Sequence, residues 1–149
     1  MEIEIRKGQA RDIPAIYELV KELAIYEKEP EAVTATIDDY HKLFNSKLYS
    51  FLVAEAENEI VGTAIFYDTF STWKGKMLYL EDFVVRQSKR KSGIGQRIWD
   101  QLIVEAEERK CKLIKWQVLD WNTPAILFYE KNKAIIEKEW WNGKIILTE

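Results

Sequence analysis

Between residues 78 and 106 the spacing of apolar residues changes from two to three and four, and the change falls on Arg90-Lys91-Ser92-Gly93-Ile94-Gly95. Upstream, Met77-Leu78-Tyr79-Leu80-Glu81-Asp82-Phe83-Val84-Val85 reads as an apolar strand. Downstream, Ile98, Leu102, Ile103 and Ala106 lie on one side of a helix. A strand that turns through glycine into a helix lets the backbone approach a ligand closely. The N–H groups opening the helix also carry the positive end of its dipole. Such a turn suits a pyrophosphate, and Lys89, Arg90 and Lys91 add positive charge to it. The turn lacks the third glycine of a dinucleotide fingerprint and the lysine-serine/threonine ending of a P-loop. A solvated basic turn with two structural glycines is the plainer alternative.

The rest of the chain is mixed α and β. Residues 2–6 alternate polar and apolar, predicting a first strand with Ile3 and Ile5 on one face. Asp12 is placed to cap a helix whose first turn accepts Pro14, and Ile13, Ile16, Val20, Leu23 and Ala24 give it a buried stripe. Thr36 and Asp39 stand at capping-box spacing for a second, shorter helix. Residues 51–54 and 60–67, joined at Glu57-Asn58, read as a hairpin; residues 71–76 read as a loop. A strand over residues 113–119, a helix from about residue 123 to residue 131 and two short closing strands complete the expected order. No repeat or linker interrupts it, so residues 1–149 are expected to form one domain.

Composition narrows the classes. Hydrophobic residues make up 47% and charged residues 32%, the balance of a globular chain. A net charge of −3 disfavours nucleic acid and anionic membranes as partners. Cys111 is the single cysteine, so no internal disulfide forms, which fits a reducing cytosol. The opening residues are charged and hold no apolar signal core, and apolar runs are strand-sized; a cytoplasmic location is expected. No metal-ligand cluster is evident and no metal is expected. His41, the only histidine, lies in a polar helix and reads as a surface residue.

Three segments together resemble the GNAT superfamily of N-acetyltransferases. They are the Leu78 to Val85 strand, the Arg90-Lys91-Ser92-Gly93-Ile94-Gly95 turn, and Trp121-Asn122-Thr123-Pro124-Ala125-Ile126-Leu127-Phe128-Tyr129-Glu130-Lys131. Tyr79-Leu80-Glu81-Asp82-Phe83, the Trp-Asn-x-Pro segment and Lys21-Glu22-Leu23-Ala24-Ile25-Tyr26-Glu27 are most similar to the diamine (spermidine/spermine-type) acetyltransferases. The resemblance implies the GNAT fold: a twisted, mostly antiparallel central sheet flanked by helices, with acetyl-CoA in a splay between two central strands. It implies that Phe83, Val84 and Val85 hold the pantetheine and acetyl carbonyl through their backbone. Arg90, Lys91, Ser92, Gly93, Ile94, Gly95 and Gln96 would wrap the pyrophosphate. Asn122, Thr123, Pro124 and Ala125 would line the other side of the cofactor, with Tyr129 near the thioester sulfur. Tyr26, Glu27, Trp73, Glu81 and Asp82 would form the amine site, and a homodimer is the family's usual assembly.

The chemistry sets its own demands. An amine titrating at about 10 must lose a proton before it attacks a thioester, at a cost of about 4 kcal/mol at pH 7. Glu81 is the candidate base, directly or through a water, and Tyr129 the candidate acid for the departing thiolate. A backbone N–H near Phe83 or Val84 would serve the oxyanion. Each residue also has a structural reading: Tyr129 as a core aromatic beside Phe128, and Glu81 or Asp82 as an exposed strand residue. Adjacent strand residues face opposite ways, so both acids reach one site only through a bulge.

The acceptor is less constrained. Ser71 stands where polyamine enzymes tend to carry an acid, Lys115 would oppose a polycation if it faces the cleft, and Lys133 replaces a common glycine. A small polyamine or diamine leads. Thialysine, another amino compound or a protein amine remain alternatives, as does a non-catalytic acyl-CoA-binding module.

Overall fold

The alternating N-terminal residues form β1 (Ile3–Lys7), the outer strand of a five-stranded sheet in the order β1-β2-β3-β4-β5. The computed structural model describes residues 2–148. The chain forms two compact units, Met1–Gln117 and Val118–Glu149.

In the first unit, β2 (Ser50–Ala56) and β3 (Glu59–Ser71) form the expected hairpin, and β4 (Gly75–Val85) continues the antiparallel meander. Glu57 and Asn58 both take positive φ, at 54° and 63°, which matches the right-handed twist of the flanking strands. The loop expected over residues 71–76 is tighter than predicted. β3 runs to Ser71, β4 starts at Gly75, and the Ser71 hydroxyl accepts from the N–H groups of Trp73 and Lys74 at 3.2 and 3.1 Å. Cross-strand pairing, which the alternation of single strands does not report, extends the ladder.

Helix α1 (Ile13–Tyr26) packs one face of the sheet: Ile13, Ile16 and Leu19 are fully buried among Phe51, Val53, Ile65 and Val84. Asp12 does not cap this helix through its side chain as expected. Its carboxylate instead accepts two bonds from Arg6, at 2.8 and 2.9 Å, and one from the Gln9 N–H. A charge-assisted bidentate pair outcompetes a single cap bond. Helix α2 (Ile37–Asn45) carries the predicted capping box, with the Asp39 N–H donating to Thr36 Oγ1 at 3.1 Å and the Thr36 N–H donating to Asp39 Oδ2 at 2.8 Å. Helix α3 (Ile94–Glu108) buries Ile94, Ile98 and Leu102, and Ile98 closes on Gly62 of β3.

β5 (Leu113–Lys115) runs parallel to β4 and is shorter than the predicted strand, ending before Trp116. In the second unit, α4 (Thr123–Lys131) forms where expected. The two closing strands do not: residues 134–148 carry no strand. Strands need a ladder partner as well as an apolar pattern, and here Ile135, Trp141, Ile145 and Leu147 are almost fully exposed.

Candidate active site

The bulge that two neighbouring acids require is present in β4. Ile65 opposes Asp82 and Phe66 opposes Leu80, so Glu81 is an extra residue without a cross-strand partner. Past it the side chains change face. Tyr79 stacks on its direct partner Tyr67, with ring centroids 5.5 Å apart and planes at 24°. The Tyr67 hydroxyl donates to Glu81 Oε1 at 3.2 Å. Asp82 lines a concavity of about 200 Å³ with Val20, Leu23, Ala24, Glu27 and Glu29 of the α1 region and with Ala32 and Val33. Both acids therefore face the α1 and α2 side, while Phe83 packs on Trp99 of α3 at 5.9 Å.

The acids perturb one another. Burial, then the charges of Glu81 and Glu27, push the Asp82 carboxyl up to about 7. Burial alone raises Glu27. Tyr67 is pushed up to about 12 by burial first and then by the charge and hydrogen bond of Glu81. Tyr79 is raised by burial and by Glu81, and Tyr40 of α2 by burial and then Asp82. A concavity with three carboxylates and apolar walls suits an ammonium on a hydrocarbon chain.

The glycine turn is built as the sequence suggests. Gly93 caps α3 at φ 84°, a conformation costly for residues with a Cβ, and a Cβ there would meet nothing within 4 Å. Lys91 also takes positive φ, at 66°. The Arg97 N–H bonds to Gly93 O, so the first turn of α3 opens at the glycine. Ser92 donates to Lys89 O, tightening the turn. A Cβ at Gly95 would come into van der Waals contact with Val85 and Phe83. Arg90 Nε donates to Val85 O at 3.0 Å, and its guanidinium lies over the Tyr26 ring at 5.3 Å. Tyr26 and the glycine turn are therefore in direct contact.

β5 pairs with β4 only from Met77 to Tyr79, so the ladder on this side ends before Leu80. The opening lies beside the strand that carries Glu81, Phe83, Val84 and Val85. The gap opens between β4 and β5, the last strand of the sheet among the described residues. An open strand edge leading to a glycine-opened helix start fits an acyl chain joined to a pyrophosphate.

In the second unit, Asn122 Oδ1 accepts from the Ala125 N–H at 3.4 Å and caps α4, with Pro124 in the first turn after Thr123. Tyr129 is buried, with its ring edge-on to Phe128 at 5.8 Å. Trp73 sits, 83% exposed, in the β3–β4 turn. Six residues of β4 separate the start of that strand from Glu81, a span of about 20 Å along an extended chain. Within this chain the structure gathers Glu27, Glu81 and Asp82 but leaves Trp73 at the far end of the hairpin. Sequence reasoning missed Tyr67, Tyr79 and Tyr40, whose relevance depends on strand register and on helix α2 rather than on any motif. No helix among the described residues is long and apolar enough to cross a membrane.

Comparison with known proteins agrees with this geometry. Residues 13–133 match the Acetyltransferase (GNAT) family. The chain is 33% identical over 141 residues to the human spermidine/spermine N(1)-acetyltransferase-like protein 1, covering 89% of this chain and 20% of that longer protein. It is 33% identical over 152 residues to thialysine N-epsilon-acetyltransferase of Bos taurus, covering 94% and 89% of the two chains. In fold it resembles an aminoglycoside acetyltransferase from an uncultured soil metagenomic sample, with a TM-score of 0.82 at 20% identity over 98% of this chain and 97% of that one. An opened sheet edge, a glycine-initiated helix and a matching sequence span thus converge: the chain belongs to the GNAT acetyltransferase family and is an N-acetyltransferase of that type.

Proposed function

We propose that the protein transfers the acetyl group of acetyl-CoA to a primary amine of a small polyamine or diamine. The observation that carries this is the β4 bulge, which turns Glu81 and Asp82 toward the side occupied by Glu27. The residues lining the concavity include three acids and no lysine or arginine, so an acceptor without a carboxylate fits better than an amino acid. A thialysine-type acceptor is the second reading, favoured by the bovine relative.

In the proposed mechanism, acetyl-CoA supplies an activated thioester carbonyl. The backbone of Phe83, Val84 and Val85 and the turn from Arg90 to Gln96 bind it, and Asn122, Thr123, Pro124 and Ala125 line it by resemblance. Glu27 and Asp82 hold the distal ammonium while Glu81 removes the proton of the reacting one, directly or through a water. Tyr129 returns a proton to the leaving thiolate. Tyr26 adds an aromatic wall to the amine site. The two units act as one domain, residues 1–149. A cytoplasmic enzyme is the setting that the composition favours.

Release of CoA thiol from acetyl-CoA tests this with spermidine, spermine, short diamines, thialysine and lysine as acceptors. Turnover with polyamines, reduced about 100-fold or more in Glu81→Gln and Tyr129→Phe, is the expected result. Turnover with thialysine alone would move the acceptor and keep the chemistry. Tight acetyl-CoA binding without turnover on any acceptor would replace the enzyme by a binding module.

A further inference from the structure

Glu81 gains its direction from the bulge but loses what normally steadies a strand residue. It has no cross-strand partner, it is exposed, and its neighbour Asp82 contributes a repelling charge. An exposed glutamate left to itself samples several rotamers, and fixing such a side chain costs about 1–2 kcal/mol of entropy. A proton acceptor is effective only when its oxygen is held close to the productive position.

Tyr67 supplies what is missing. It lies in the regular part of the β3–β4 ladder, directly opposite Tyr79, and its ring is fixed by stacking on that partner. Its hydroxyl reaches Glu81 Oε1 at 3.2 Å. The titratable groups around Glu81 from the packed elements are Tyr67 on β3, Tyr79 and Asp82 on β4, Tyr40 on α2 and, through Asp82, Glu27 just after α1. The bond to Tyr67 engages one carboxylate oxygen and leaves the other for substrate or water. Because Tyr67 is held well above neutrality, it remains a donor throughout the working range.

We propose that Tyr67 is a positioning residue for acetyl transfer, its phenol holding the Glu81 carboxylate in the orientation that accepts the amine proton. The role rests on the assignment of Glu81 as base. Tyr67 does not touch the reacting atoms; it acts through Glu81.

Tyr67→Phe keeps the ring and its stack and removes only the donor. The expected result is a fall in kcat of about tenfold with the KM for acetyl-CoA unchanged and little change in melting temperature. In a Glu81→Gln background the same substitution should cost nothing further, because the group it positions is already gone. Parent-like kcat for Tyr67→Phe beside an inactive Glu81→Gln enzyme would overturn the role of Tyr67 alone, as would equal losses in both backgrounds. Undiminished turnover by Glu81→Gln would overturn the assignment of the base itself, and the positioning role with it.

Discussion

Glu81 and Asp82 are adjacent in sequence yet face the same side of the sheet, because Glu81 is the extra residue of a bulge between the pairs Phe66–Leu80 and Ile65–Asp82. In a regular strand one of the two would point toward α3. The bulge thus assembles an acidic site from a dipeptide, with Glu27 of the α1 terminus as its third member.

Asp82 gives that site a pH dependence. Its carboxyl is raised to about 7, mainly by burial, so it becomes an anion only as pH rises through that value. The KM for a diamine should fall as pH rises from 6 to 8, and Asp82→Asn should flatten the profile. Steady-state kinetics across that range check this.

The same residue weighs against folding. A carboxyl whose folded value lies above its unfolded one contributes stability below about 4, and that contribution is lost as pH climbs to about 7. Asp82→Asn should therefore raise the melting temperature at pH 8 and have little effect at pH 4. Calorimetry at the two pH values decides it.

Asp12 behaves in the opposite way. The bidentate bond from Arg6 holds its carboxyl below the ordinary value, opposed by burial and aided by the Gln9 N–H. Its stabilising contribution is present above about pH 4 and is lost as pH falls through the depressed value. Asp12→Ala leaves Arg6 half-paired, with Glu55 as its remaining acid, and should cost about 3 kcal/mol at pH 7 by urea denaturation.

Lys133 closes α4 at φ 68°, a left-handed conformation that favours glycine. Lys133→Gly should stabilise the protein by about 0.5–1 kcal/mol without altering turnover. A melting curve and a thiol-release assay on the same preparation check both halves.

Trp140 and Trp141 are 66% and 95% exposed, so they do not pack the core of the chain. In the proposed homodimer such apolar surface is buried between copies. Light scattering should give twice the chain mass for the parent protein and a monomer for a Trp140→Ser, Trp141→Ser double variant. A monomeric parent would remove the dimer from the proposal.

Much of this protein was determined by local sequence. The stripe of α1, the Thr36–Asp39 capping box, the Glu57-Asn58 hairpin and the glycine start of α3 depend on residues within a few positions of one another. Periodicity and turn chemistry report such features directly. The family likeness was equally legible, because its segments keep their order and spacing along the chain.

Tertiary structure decided what depends on pairing. Asp12 abandoned a helix cap for Arg6, the residues after Lys115 found no ladder partner, and one residue of β4 slipped out of register. No local pattern encodes the slip, since Leu80-Glu81-Asp82 reads the same in a flat strand as in a bulged one. Only the register against Phe66 and Ile65 turns the second acid toward α1 and sets Tyr67 beside the first. The sequence alone named the acids; the sheet gave them a common face, because the direction of a strand side chain is fixed by its pairing and not by its neighbours in the chain.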